Sequence, residues 1–133
     1  MTGPGSARRD LVWFLGLSVL VALGAMLALV GGFLVPARIA GLWGVSVPIA
    51  VVGNLFAGWL GARILARPLG ALAPGAAWIL VVVLEGMNGP GGDLVIPGSL
   101  PAAPAVARVG LIFLLSGSVA AALPATGPWR RRR

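Results

Sequence analysis

Four stretches of the chain carry no charged side chain: residues 11–37, 39–62, 68–84 and 109–129. Charges fall between them or at the two ends. About 20 apolar residues in a helix cross the roughly 30 Å hydrocarbon core of a bilayer. Four such stretches in 133 residues leave almost nothing for a soluble domain. The pattern therefore predicts an all-α fold, an integral membrane bundle of four transmembrane helices. The expected helices cover residues 11–35, 43–63, 69–86 and 108–127, with a loop over 87–107. An N-terminal tail, 1–10, and a basic C-terminal tail, 130–133, flank this one domain.

Composition agrees. The chain is 59% hydrophobic and 10% charged, with a mean hydropathy of +1.02, against about 25% charged in soluble domains. It contains no Cys, His or Tyr. Thiolate chemistry, the usual general base and the usual metal ligand are thus missing. The acidic residues are Asp10, Glu85 and Asp93. No catalytic set can be drawn from this inventory, and the expectation is a non-enzymatic protein without cofactor or metal.

The net charge of +7 does not point to nucleic acid, because the cations sit at segment ends. Arg and Lys are retained on the cytoplasmic side of short loops. Arg8, Arg9, Arg63, Arg67 and Arg130 to Arg133 fall on one side of a four-span chain, eight in all, against Arg38 and Arg108 on the other. Both termini are therefore expected in the cytoplasm of a multi-pass cell-membrane protein. The first charge-free run exceeds the about 7–15 apolar residues of a secretory signal, so it is read as an uncleaved span. Trp13, Trp43 and Trp129 stand near segment ends, where indole rings anchor a span. Arg63 and Arg67 can snorkel to the surface, and Pro68 suits a tight turn into the third helix. The four terminal arginines also attract anionic lipid.

In lipid, small residues mark the helix interfaces, because they let backbones approach. Gly24, Ala28 and Gly32 form such a stripe at four-residue spacing, as do Gly53, Ala57 and Gly61, and Gly117, Ala121 and Ala125. The first two helices are expected to pack along their stripes. Asn54 falls near the middle of the second helix, at the depth of Trp78, Ser116 and Ser118. An amide in hydrocarbon needs a partner, and the Asn54 carbonyl accepting from the Trp78 indole would supply one, with the serines closing the set. This cluster reads either as glue between helices or as a polar constriction in a pathway.

The segment from Gly86 to Ala105 is broken by glycines and prolines and reads as a loop, with an apolar patch at Leu94, Val95 and Ile96. Arg38, Glu85, Asp93 and Arg108 lie on its side of the membrane. Either Glu85–Arg108 and Asp93–Arg38 pair and pin the loop, or the four form an outward-facing site for a charged ligand or partner.

Arg without Lys, with abundant Ala, Gly, Val and Pro, points to a GC-rich genome of the actinobacterial kind. The stretch Gly92-Asp93-Leu94-Val95-Ile96-Pro97-Gly98, followed by Arg108-Val109-Gly110, resembles an uncharacterised family of small, four-span actinobacterial integral membrane proteins. That resemblance implies the four-span fold and carries no activity with it. Small multidrug transporters have a carboxylate inside their first helix, and here that helix has none. Fluoride channels place an Asn near glycines in their second helix, as Asn54-Leu55-Phe56-Ala57-Gly58 does, but their Phe- and Thr-rich break in the third is replaced by Trp78 to Leu84, WILVVVL. The expected role is an assembly or accessory subunit of a membrane complex, partnered by the lipid bilayer and by further copies or another membrane protein. An oligomeric small-solute transporter or channel is the alternative.

Overall fold

The computed structural model describes residues 4–39, 42–87 and 104–126. Its helices are α1 (Pro4–Leu34), α2 (Ser46–Leu65), α3 (Pro68–Glu85) and α4 (Pro104–Thr126). All four are long and apolar enough to cross a membrane. The fold is the expected all-α arrangement of four helices.

The boundaries shift for local reasons. Helix α2 starts three residues later than expected. Before it, Arg38–Ile39 pairs antiparallel with Leu42–Trp43, and Gly44 takes a positive φ of 85° that a side chain would resist. Helix α4 starts four residues earlier, at Pro104, since proline is preset for a first helical turn. Between α2 and α3 the chain reverses through Ala66 in the left-handed region and an extended Arg67, with Pro68 opening α3. This is the tight turn the sequence implies.

Successive helices run in opposite directions, so α1 is parallel to α3 and α2 to α4. Helices α2 and α3 form the central pair, and each packs on both α1 and α4. The start of α1, the α2–α3 turn and the finish of α4 share one end of the bundle, here the arginine end. The other is the loop end.

The expectation that α1 and α2 meet along their stripes is corrected by this arrangement. The α1 stripe turns to α3 instead: Gly24 lies on the Pro74 backbone and Gly32 on the Glu85 carboxyl. Helices α1 and α2 do touch, through Leu27 on Gly53 and Leu65 on Gly16. The α2 stripe is shared, because Gly61 faces the backbone of Gly70 on α3. Proline has no N–H, so Pro74 leaves the Gly70 carbonyl without its helical donor, and Gly61 fits its backbone against that oxygen. A Cα–H···O contact there is worth about 0.5–1 kcal/mol.

Burial is inverted relative to a soluble bundle. Ala28, Ala50, Ala57, Ala71, Ala120 and Ala121 are buried, while Leu11, Phe14, Val19, Phe33, Leu80 and Leu115 are each more than half exposed. Water would penalise such a surface by about 25 cal/mol per Å² of apolar area, whereas lipid tails do not. Large side chains enter the interior mainly toward the loop end. There Trp78, Val82, Phe113, Val35 and Val106 pack together with Ala28 and Ala50.

Candidate functional site

Of the residues singled out in mid-bundle, Asn54 and Trp78 reach the interior, Ser116 and Ser118 are half-buried, and the four do not close a network. Asn54 is 1% exposed. Its Nδ2 donates to the Ala50 carbonyl of its own helix at 2.9 Å, and its Oδ1 has no hydrogen-bond partner among the described residues. Trp78 is fully buried, with its ring against Gly117 and 5.3 Å from the Phe113 ring, centroid to centroid. Its Nε1 also lacks a partner among the described residues. The expected Asn54–Trp78 hydrogen bond is therefore not formed: the amide turns back along α2 instead of across to α3. Ser116 does the same, donating to the Ile112 carbonyl at 2.6 Å. It lines an apolar groove of 410 Å³ between α2 and α4, with Val51, Leu55 and Val119 among its walls. At 100° per residue Ser116 and Ser118 point about 200° apart, so they flank Gly117 and cannot share one face.

The charge cluster also departs from expectation. Arg108 is exposed, and its Nε approaches the Pro104 carbonyl at 3.4 Å. Glu85 lies inside, 8% exposed, and neither carboxyl oxygen has a hydrogen-bond partner among the described residues. The expected Glu85–Arg108 pair is thus absent. Asp93, the apolar patch at 94–96, Trp129, the four terminal arginines and the side chains of Arg38 and Trp43 lie outside the described residues.

What buries Glu85 is the α1–α3 contact. Gly32 has no side chain, and the carboxyl fills that space: a Cβ there would stand 2.8 Å from Oε1. Helix α3 has 18 residues and so is about 27 Å long, slightly short of the roughly 30 Å hydrocarbon core. Its last residue thus falls at the margin of the apolar region. Glu85 thus stands as an ionisable residue at the loop-end margin of the α3 span.

Sequence reasoning missed Ser46, which is fully exposed in neither direction: it is 0% accessible and its Oγ has no partner among the described residues. The Gly61–Gly70 and Gly58–Ala71 contacts set the antiparallel register of α2 on α3. Carried along both helices, that register brings Ser46 to the level of Glu85 and Asn54 to that of Trp78. The signal was available, because Ser46, Ala50 and Asn54 recur every four residues on one face of α2. Chemically, a lone buried carboxyl can hold a proton or a small cation. It offers no nucleophile–base pair for covalent chemistry.

At the arginine end the charges are exposed and stacked. The Arg63 guanidinium lies 4.5 Å from the Trp59 ring centroid, and that of Arg67 lies 5.2 Å from Trp13. Comparison with protein-family models, curated proteins and solved structures finds no match to this chain.

Proposed function

We propose that this chain is a small integral membrane protein that works by assembly, as a homo-oligomer or as an accessory subunit of a larger membrane complex, and that it is not an enzyme. The observation that carries the reading is the division of side chains. The interior is closed by backbone contacts at Gly24–Pro74, Gly61–Gly70 and Gly75–Ala121, and the large apolar residues point outward. At these contacts the backbones close the interior, whereas the outer surface is available to other helices. The arginine end faces the cytoplasm in this reading, following the excess of arginines there.

A second reading, transport through an oligomer, draws on a different observation. Polar atoms of Asn54, Trp78, Ser46 and Glu85 that have no partner among the described residues descend through the bundle toward the loop end, and ionisable groups within spans mark ion paths.

Purification of the tagged protein from its native membranes in mild detergent, with the complex mass measured, separates the readings. A stoichiometric foreign partner is the expected result for an accessory subunit. A pure homo-oligomer that conducts ions in vesicles transfers the case to transport. A monomer in every mild detergent and in lipid discs removes the assembly reading.

A further inference from the structure

We propose that Glu85 is a proton-binding site built into the loop end of the bundle, holding its proton while α1 is seated on α3 at Gly32 and releasing it when that contact opens.

The carboxyl is more than nine-tenths buried, and both oxygens are shut off from solvent without a hydrogen-bond donor among the described residues. A buried carboxylate with neither a cation nor donors is strongly disfavoured, and such a group goes neutral instead. Among the described residues no cation bonds to the carboxyl. From α1 the carboxyl meets Gly32. At its level on α2 stands Ser46, whose Oγ is itself unpartnered among the described residues. The register set by Gly117 on Trp78 and Ala121 on Gly75 brings Gly110 of α4 to the same level. The charged groups nearest along the chain are Arg108, Arg38 and Asp93. Arg108 is exposed and turned toward its own helix.

The site is also closed in a way that links protonation to shape. The carboxyl occupies the place of a missing side chain, so α1 is its lid. Ionisation breaks the carboxyl O–H bond and passes the proton to water, and the carboxylate left behind needs solvation. Both require α1 to move off Gly32. The proton therefore belongs to the closed bundle and its loss to an opened one.

The chain has a single glutamate, and its other side-chain carboxyls are Asp10 and Asp93. A neutral-acid carbonyl band at neutral pH that is lost on replacing Glu85 is therefore assigned to it, because that substitution leaves Asp10 and Asp93 in place. Infrared spectra of the full chain in lipid vesicles are expected to show that band in the wild type and to lose it in Glu85→Gln. If that variant fails to fold, wild-type protein carrying 13C-carboxyl glutamate decides, since only the Glu85 band then shifts. Gly32→Ala, which pushes the carboxyl out of its seat, is expected to abolish the band at neutral pH in a bundle that remains folded. A wild-type spectrum with carboxylate bands alone overturns the proposal, with Arg38 or Arg108 as the partner to test next. A neutral-acid band unchanged in folded Gly32→Ala overturns the lid.

Discussion

The two ends of the bundle solve the same problem with different materials. Toward the arginine end, α2 and α3 touch backbone to backbone at Gly61–Gly70, and the arginines stay outside, stacked on Trp59 and Trp13. Toward the loop end, bulky Trp78, Phe113 and Val82 fill the interior, and polar atoms of Trp78, Ser46 and Glu85 are buried without partners among the described residues. Every polar group that stays inside without a bond weakens the fold by about 1–3 kcal/mol. The arginine end is therefore the clasp. The loop end carries three such residues, against the Trp13 indole Nε1 alone at the arginine end among the described residues, and that excess is where function is to be sought.

The sharpest way to break this comparison is to spoil the clasp. A Cβ at Gly61 would run into the Gly70 carbonyl, which is backbone and cannot turn aside. Gly61→Val is expected to cost about 3 kcal/mol or more, the upper range for overpacking. Thermal unfolding in detergent would then show a large loss or no folded protein. If instead Gly61→Val unfolds like the wild type, the contact is not what holds α2 on α3, and the contrast between the ends collapses.

A smaller effect is expected from Asn54, which lies between the two regions. Its amide is satisfied within α2, so Asn54→Leu removes an unpartnered Oδ1 together with a bond that ties no two helices. Interhelical bonds in membranes average about 0.6 kcal/mol, and Asn54 makes none among the described residues. Stability and oligomer size are therefore expected to change by less than about 1 kcal/mol, measured by the same unfolding assay and by complex mass. Failure of the variant to assemble would show that the amide bonds across a subunit boundary. Intact assembly with lost conduction in vesicles would favour the pathway reading.

These particulars show where the sequence was legible. Charge-free runs predict the helices well, because the cost of leaving polar groups in lipid is large and local. Of the stripe positions, Gly24, Ala28, Gly32, Ala57 and Gly61 are closely packed, and Gly53 is half-buried against Leu27. The stripes do not say which helix each one meets, since four-residue spacing looks the same toward any neighbour, and the α1 stripe went to α3. Glu85 reads as interfacial because it ends a charge-free run. Its burial depends on α1 and α3 running parallel with Gly32 beside it, an offset that no single segment encodes. Ser46 escaped notice for a similar reason: a small polar residue at a helix start is ordinary until packing buries it.

The smallest expected effect concerns the arginine end, and it sharpens what a clasp means. Arg67 crosses from the α2–α3 turn to Trp13 on α1, whereas Arg63 stacks on Trp59 of its own helix. Both guanidiniums are exposed, where cation–π contacts are worth about 0.5–1 kcal/mol. The sequence distance nevertheless separates them, because only the Arg67 contact joins two helices. Arg67→Gln is expected to lower stability by about 0.5–1 kcal/mol, and Trp13→Leu in that background to add little through this contact. Arg63→Gln is expected to have the smaller effect on the unfolding of the bundle, since its partner stays on α2. A double-mutant cycle over Arg67 and Trp13 measures the coupling directly. Zero coupling would leave backbone packing alone as the clasp and reduce the stacked arginines to surface charge. Positive coupling at Arg67, with none between Arg63 and Trp59 in unfolding, would show that the arginine end is tied at its rim as well as at its glycines.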